Sequence, residues 1–194
     1  MSEVLWALTR ATALGSMVLL TLTFVLGMLT ANRSGTSART RTVLSGVHRT
    51  TALLMVTFTA AHVVSAIAES YVDIDWISAV VPFTSGYQTV WIGLGTLALD
   101  LMIAVAVTSV FRQRLSHRVW RVVHLTSYLL WPLALAHGVG SVSVDTGLTW
   151  AVVLGCAGAG IGALVIRLAR RSPDHRRRAE VAATPWRVEA EANR

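Results

Sequence analysis

Long runs of apolar residues dominate the chain, and short polar connections separate them. The apolar residues do not alternate with polar ones, as they would in a half-buried strand. The runs reach the about 20 residues that a helix needs to cross a hydrocarbon core roughly 30 Å thick. The pattern therefore predicts an all-α integral membrane fold, a bundle of five transmembrane helices. The predicted spans are Leu5–Leu29, Val43–Ala68, Val90–Phe111, Val119–Val139 and Leu148–Leu168.

The composition agrees with a membrane location. Of the 194 residues, 54% are hydrophobic and 14% are charged, whereas about 25% of the residues in a typical soluble domain are charged. We predict a membrane bundle over residues 1–170 and a flexible, polar, cytoplasmic tail over residues 171–194. The single cysteine, Cys156, lies in the fifth span, so no disulfide forms within the chain.

The placement of the charged residues predicts the orientation of the bundle. All 17 basic residues are arginines, and apart from Arg10 they lie in or beside the first and third connections or at and after the end of the fifth span. Positively charged loops remain in the cytoplasm, which predicts an N-terminus outside and a C-terminus in the cytoplasm. This distribution accounts for the net charge of +7, so nucleic acid is not an expected partner. The arginines of the predicted inner side are Arg33, Arg39, Arg41, Arg112, Arg114, Arg118, Arg167, Arg170, Arg171, Arg176, Arg177 and Arg178.

The longest connection, ESYVDIDWISAVVPFTSGYQ, joins the second and third spans and mixes acidic with apolar residues. This mixture is typical of a segment that lies on a membrane surface. We expect it to lie on the outer face and to cap whatever lies beneath it.

Four of the six histidines fall inside predicted spans, where ionisable residues are costly and mark candidate functional sites. His48 and His62 are 14 positions apart, about 21 Å of helix rise, and His124 and His137 are 13 positions apart, about 19.5 Å. Both spans run from inside to outside. We therefore expect His48 to lie level with His124 near the cytoplasm, and His62 level with His137 near the outer face.

Two facing imidazoles at each level suit haem iron better than zinc. Zinc takes three or four protein ligands, and neither level offers a further cysteine or carboxylate. Haem iron takes four nitrogens from its macrocycle and two axial ligands from the protein. The chain has no CxxCH motif for covalent attachment. The sequence therefore predicts two stacked b-type haems with bis-histidine ligation.

The histidine spacing resembles that of a known family. The patterns H-x13-H in the second span and H-x12-H in the fourth are similar to those of the ferric reductase-like transmembrane domain. That family includes NADPH oxidases, ferric reductases and the haem subunit of the bacterial methionine sulfoxide reductase system. The resemblance covers roughly residues 4–140, with a WR-x2-H motif at Trp120–His124 and the closing pair His137–Gly138. It implies an inner haem on the first histidine of each span and an outer haem on the second.

Three arginines near the predicted haem levels are candidate haem contacts. In the oxidase branch of the family an arginine at a place similar to that of Arg10 lies by the outer haem. We therefore expect Arg10 to pair with a haem propionate, the alternative being that it reaches the outer headgroups. Arg49 and Arg121 are candidates for the same role inside, although orientation alone also explains them. Asp100, midway along the third span, is expected to be protonated and hydrogen-bonded to a neighbouring helix, or else to move protons.

The spacing within the fourth span presents a geometric problem. On an ideal helix, 14 positions return to within roughly 40° of the starting direction, whereas 13 positions miss it by roughly 140°. Pro132 lies between His124 and His137 and can kink a helix or change its winding. We therefore predict a distortion of the fourth span at Pro132.

These features predict a b-type di-haem transmembrane electron-transfer protein. Electrons would pass from a cytoplasmic or membrane donor to the inner haem, then to the outer haem and an extracytoplasmic acceptor. About two dozen residues follow the fifth span, with no GxGxxG motif, so we expect a separate flavoprotein or quinol as donor. The expected location is a bacterial-type plasma membrane, and a homo-oligomer is compatible with the sequence.

Two other functions remain open at this point. A haem-binding anchor or partner subunit of a redox complex, without turnover of its own, would hold exchangeable haem and carry no electrons across a vesicle. A small transporter whose histidines relay protons would purify without haem and show pH-dependent flux.

Overall fold

The structure, a computed structural model, describes the backbone of residues 2–31, 37–69, 74–141 and 147–182 and the side chains of residues 3–31, 37–69, 74–141 and 147–169. Over these ranges every regular element is an α-helix. Five helical segments are long and apolar enough to cross a membrane, with α4 and α5 together forming one of them. The predicted all-α fold with five spans is confirmed. The helices are α1 (Ser2–Ala31), α2 (Ala38–Ala68), α3 (Thr89–Val110), α4 (His117–Leu125), α5 (Ser127–Gly140) and α6 (Gly147–Ala182).

Local sequence sets the start of the helices that carry the histidines. Ser37 precedes α2, and its hydroxyl accepts a hydrogen bond from the backbone N–H of Thr40 at 3.2 Å. Ser116 precedes α4 and caps it in the same way through the N–H of Val119 at 3.3 Å. Each serine satisfies a backbone donor that the first helical turn leaves without a partner.

Helix α6 extends beyond the predicted fifth span. It continues to Ala182, so residues 171–182 of the predicted tail are helical. The cytoplasmic placement and flexibility of the tail, and the orientation of both termini, stay predictions.

Helix α2 is separated from the α4–α5 pair by a gap in the backbone packing, which is called the cleft below. Among the described residues, α1 packs along α2 and also contacts α5 and α6, while α3 packs mainly against α5. No comparable backbone packing joins α2 to α4 or α5 within those residues. The four intramembrane histidines lie on the helices that border this cleft.

An aromatic stack holds α1, α5 and α6 together. The rings of Phe24 and Trp131 are stacked, with centroids 5.0 Å apart and planes inclined by 3°. The indole N–H of Trp131 donates to the hydroxyl of Thr21 at 3.1 Å, and both residues are buried. The Trp131 ring also lies directly against the backbone of Gly160, where no side chain would fit. These contacts fix the α5 segment that separates the two histidine levels.

The fourth span is broken at Thr126, between α4 and α5. The N–H of Thr126 donates to the Val123 carbonyl at 3.0 Å, and the N–H of Leu129 donates to the Thr126 carbonyl at 2.8 Å. Both are hydrogen bonds between residues three positions apart. Such a turn advances about 120° per residue in place of about 100°. The break therefore changes the angular relation between His124 and His137.

The sequence predicts this distortion at Pro132, and the structure corrects its position. Helix α5 continues through Pro132, and the break lies six positions earlier, at Thr126. A proline has no N–H for the carbonyl four positions before it, which here belongs to Tyr128, and its ring crowds that carbonyl. Pro132 therefore disturbs the hydrogen bonding of the helix on its N-terminal side, and the break at Thr126 lies on that side.

The outer connection packs down the side of α3, whereas the sequence predicts that it lies along the membrane surface. The hydroxyl of Thr96 donates to the Ser78 carbonyl at 2.6 Å, and Thr96 lies seven residues, or about 10.5 Å, into α3. The ring of Phe83 lies against the backbone of Gly93. Phe83 has a φ of 66° and Gln88 a φ of 43°, a region that costs energy for a residue with a side chain. Tertiary contacts with α3 therefore hold the segment in place.

Candidate functional site

The four histidines of the second and fourth spans form two pairs across the cleft. The ring centroids of His48 and His124 are 6.4 Å apart, and their planes are inclined by 70°. The ring centroids of His62 and His137 are also 6.4 Å apart, with an inclination of 63°. The structure thus brings together the histidines that the sequence places at equal depths. Their role as ligands stays a prediction.

Helix α1 orients both histidines of α2 in the same way. Nδ1 of His48 donates to the Thr23 carbonyl at 3.1 Å, and Nδ1 of His62 donates to the Thr9 carbonyl at 3.1 Å. Both the two threonines and the two histidines are 14 positions apart, so the antiparallel helices repeat one contact at two depths. A carbonyl only accepts, so each Nδ1 carries a proton and Nε2 keeps its lone pair.

His137 is oriented from the opposite side, by α3. Its Nδ1 donates to the carbonyl of Trp91 at 2.8 Å, and the hydroxyl of Ser141 lies 3.3 Å from the same nitrogen. The ring packs against Gly95, where an added Cβ would lie 2.7 Å from the ring atoms Cε1 and Nδ1. A hydrogen bond from the far nitrogen to a carbonyl is the usual support of a metal-bound histidine.

His124 is held by stacking and lacks this support. Its ring is stacked on that of Trp120, with centroids 4.8 Å apart and an inclination of 21°. The guanidinium of Arg112 lies over the ring of Trp120, 4.4 Å from its centroid. Among the described atoms, Nδ1 of His124 and the indole nitrogen of Trp120 are buried without a hydrogen-bond partner.

The geometry of each pair fits one metal between two imidazoles. With metal–nitrogen bonds of about 2.0 Å and each centroid about 1.1 Å behind its nitrogen, two axial imidazoles have centroids roughly 6.2 Å apart. The observed separation is 6.4 Å at both levels. No group of three or more histidine, cysteine, aspartate or glutamate side chains occurs among the described residues. A metal that draws all its ligands from the protein is therefore a poor fit, and haem iron a good one.

Arg10 lies at the depth of the outer pair, next to Thr9. Its guanidinium donates to the hydroxyl of Thr149 on α6 at 3.2 Å and lies 4.7 Å from the ring centroid of Trp6. These contacts direct Arg10 toward α6. Its predicted contact with a haem propionate stays a prediction.

The remaining candidate residues are Arg49, Arg121 and Asp100. Arg49 on α2 and Arg121 on α4 are exposed beside His48 and His124, and their contact with propionates stays a prediction. Asp100 is partly buried in the middle of α3. The alternative roles predicted for it stay open.

Several residues that support the histidines are absent from the sequence-based prediction. Thr9, Thr23 and Trp91 act through backbone carbonyls, which every residue has. Gly95 contributes because it has no side chain, which leaves room for the ring of His137. One signal was available, because the 14-position interval between Thr9 and Thr23 equals that between the two histidines of α2.

A comparison with protein families finds a match over more than half of the chain. The family model described as "Ferric reductase like transmembrane component" matches residues 12–135. The matched segment contains His48, His62 and His124 and ends two positions before His137. No curated protein and no solved structure matches the chain significantly.

Proposed function

The chain belongs to the ferric reductase-like transmembrane family, and from this membership we propose that it carries electrons across a membrane through two b-type haems. The observation that supports the proposal most directly is the repeated histidine pair, with ring centroids 6.4 Å apart at each of two depths. A single pair could be a structural contact between helices. Two pairs of equal separation, about 20 Å apart along the helices, correspond to a two-step path across the hydrocarbon core.

In this proposal His48 and His124 hold the inner haem, and His62 and His137 hold the outer one. Haem iron supplies one-electron chemistry by cycling between its ferric and ferrous states, and two axial histidines leave no open position on it. The cleft between α2 and α4–α5 is the space for both groups. This arrangement favours outer-sphere transfer over binding of an acceptor at the metal.

The protein contributes orientation and a dry environment. The carbonyls of Thr23, Thr9 and Trp91 keep the proton on Nδ1 of three histidines, so that Nε2 keeps its lone pair for a metal. The buried Phe24–Trp131 stack lies between the two levels along α5 and keeps water out of this part of the bundle. Fixed ligands reduce the structural change that accompanies each change of charge, which is the protein's contribution to electron transfer.

The partners in this proposal are separate molecules. A flavoprotein or a quinol in the membrane or cytoplasm gives electrons to the inner site, and an extracytoplasmic acceptor takes them from the outer site. A basic stretch beside the inner pair has Arg112 and Arg114 in the connection between α3 and α4 and Arg118 in the first turn of α4. Under the positive-inside rule, this end is the cytoplasmic one. The proposed location is the plasma membrane.

A spectroscopic measurement on the purified full-length chain tests the proposal. We expect a reduced-minus-oxidised spectrum with a b-type α band and, by pyridine haemochrome assay, two haems per chain. His62→Ala and His124→Ala should each remove one of the two haems. His117→Ala is the matched control, because His117 is exposed and lies outside both pairs. A protein that folds but shows no haem band would refute the proposed function.

A further inference from the structure

The four candidate ligands do not have equal support. Three of them, His48, His62 and His137, donate from Nδ1 to a backbone carbonyl at 2.8–3.1 Å. The fourth, His124, has a buried Nδ1 with no partner among the described atoms. Both ligands of the outer pair are therefore held by a hydrogen bond, whereas the inner pair has one held ligand and one without a partner.

The contact that α3 makes with His137 is not repeated for His124 among the described atoms. Helix α3 runs antiparallel to α4–α5, and the Trp91 carbonyl serves His137 at the outer level. Thirteen positions along α3, the interval between the two histidines of the fourth span, lead to Ala104. The Ala104 carbonyl already accepts the hydroxyl of Thr108 at 2.7 Å. The carbonyl one such interval along α3 from Trp91 thus already accepts a side-chain donor of its own helix.

The hydroxyls beside the break in the fourth span form hydrogen bonds within that span. The hydroxyl of Ser127 donates to the His124 carbonyl at 2.7 Å, and the hydroxyl of Thr126 donates to the Val123 carbonyl at 2.7 Å. Both hydroxyls thus donate to carbonyls of the preceding turn, and neither is a partner of Nδ1 of His124.

A histidine that binds a metal through Nε2 carries its proton on Nδ1, and that proton needs an acceptor. Loss of this outer hydrogen bond typically weakens metal binding about 10–100-fold. We propose that the inner haem site is the weaker of the two and releases its haem first. This inference rests on the proposed function, and it ranks the two sites by how tightly they hold haem.

The same asymmetry orders the two reduction potentials. A hydrogen bond from Nδ1 to a carbonyl makes the imidazole a stronger donor, and a stronger donor stabilises ferric over ferrous iron. The outer site has two such ligands, and the inner site has one. The inner haem is therefore the one reduced at the higher potential.

Haem transfer to an excess of apomyoglobin measures the order of release. The full-length chain, loaded with two haems in nanodiscs, should lose them in two phases whose rates differ about 10–100-fold. His124→Ala should abolish the fast phase, because it removes the inner site. His137→Ala should abolish the slow phase. In each variant the six-coordinate spectrum of the remaining haem shows that the bundle is folded, and redox titration should give the higher potential in His137→Ala.

The outcomes separate this inference from the proposed function. Two haems released at one rate, or a fast phase that persists in His124→Ala, would overturn the inference and leave the function standing. A protein that never binds haem would overturn the proposed function itself. A fast phase that is absent from His124→Ala and present in His137→Ala would support both.

Discussion

The imidazole of His137 lies directly against the backbone of Gly95, at a distance that excludes any side chain at that position. An ideal Cβ on Gly95 would lie 2.7 Å from both Cε1 and Nδ1 of the ring. The Trp91 carbonyl, one turn earlier on the same helix, accepts a hydrogen bond from the same Nδ1, so the ring has little room to move. The glycine is thus part of the outer site, although it has no polar atom of its own to offer.

Gly95→Ala should therefore displace His137 and remove the outer haem. We expect the haem content to fall from two per chain to about one, with the inner haem still six-coordinate. The measurement is the pyridine haemochrome assay combined with the low-spin spectrum.

Gly162→Ala on α6 is the control for Gly95→Ala. An added Cβ at Gly162 meets no atom within 4 Å, so this variant should keep both haems. If Gly95→Ala also kept both haems at normal stability, the close contact between His137 and α3 would not be needed for ligation.

The break at Thr126 gives a second prediction, about the inner site. Thr126→Val together with Ser127→Ala removes the hydroxyls that satisfy the Val123 and His124 carbonyls. An unbroken helix then becomes the favoured state, and in it 13 positions miss a common face by roughly 140°. We expect the double variant to lose one haem or both, as measured by the absorbance per chain.

Pro132→Ala is the matched comparison for the double variant. Helix α5 already continues through Pro132, so this change should leave two haems in place. The opposite pattern, with haem lost in Pro132→Ala and kept in the double variant, would show that the proline sets the register.

The sequence predicts the ligand pairs but not their supports, for a physical reason. The pairing of His48 with His124 follows from helix rise and the thickness of a membrane, which are the same in every membrane protein. The carbonyl of Trp91 and the open space at Gly95 depend on which helices are neighbours and at what register. Those relations arise from packing over the whole bundle, and no local pattern encodes them.

The aromatic stack gives a prediction about stability. Thr21→Val removes the acceptor of the Trp131 indole N–H, a hydrogen bond of 3.1 Å between buried residues of α1 and α5. Hydrogen bonds between membrane helices contribute about 0.6 kcal/mol on average, and a buried donor without a partner costs about 1–3 kcal/mol. We expect a loss of about 1 kcal/mol in the free energy of unfolding, measured in mixed micelles.

The control for this change lies on the same helix. Thr12 is buried, but its hydroxyl donates only to the Leu8 and Thr9 carbonyls of α1 itself. Thr12→Val should therefore cost less than Thr21→Val. Equal losses would mean that the contact between Trp131 and Thr21 adds nothing to stability beyond the hydroxyl's local bond.

Asp75 gives a pH-dependent prediction outside the membrane spans. The Ser78 hydroxyl donates to Oδ1 of Asp75 at 2.6 Å and the Ser78 N–H donates at 2.9 Å, and these hydrogen bonds lower the pKa of the Asp75 carboxyl. A lowered pKa means that the contact stabilises the folded segment at pH values above the ordinary pKa of an aspartate. The stabilisation is lost as the pH falls through the lowered value.

Asp75→Asn tests this dependence. At neutral pH a protease should cleave within residues 74–88 faster in the variant than in the unmodified chain. The difference between the two should vanish in acid, where the carboxyl of the unmodified chain is protonated. A difference that stayed constant down to the acid limit would show that the charge of Asp75 does not stabilise the segment.

The predicted orientation of the bundle rests on charge alone and is tested by labelling. Trp76, in the connection between α2 and α3, is 68% exposed, and Gln113, in the connection between α3 and α4, is also exposed. The only cysteine, Cys156, is buried, so Cys156→Ala gives a background without thiols. In this background, the cysteine of Trp76→Cys should react with an impermeant maleimide in intact cells. The cysteine of Gln113→Cys should react only after permeabilisation. The reverse pattern would place the inner histidine pair at the outer surface and reverse the proposed direction of electron flow.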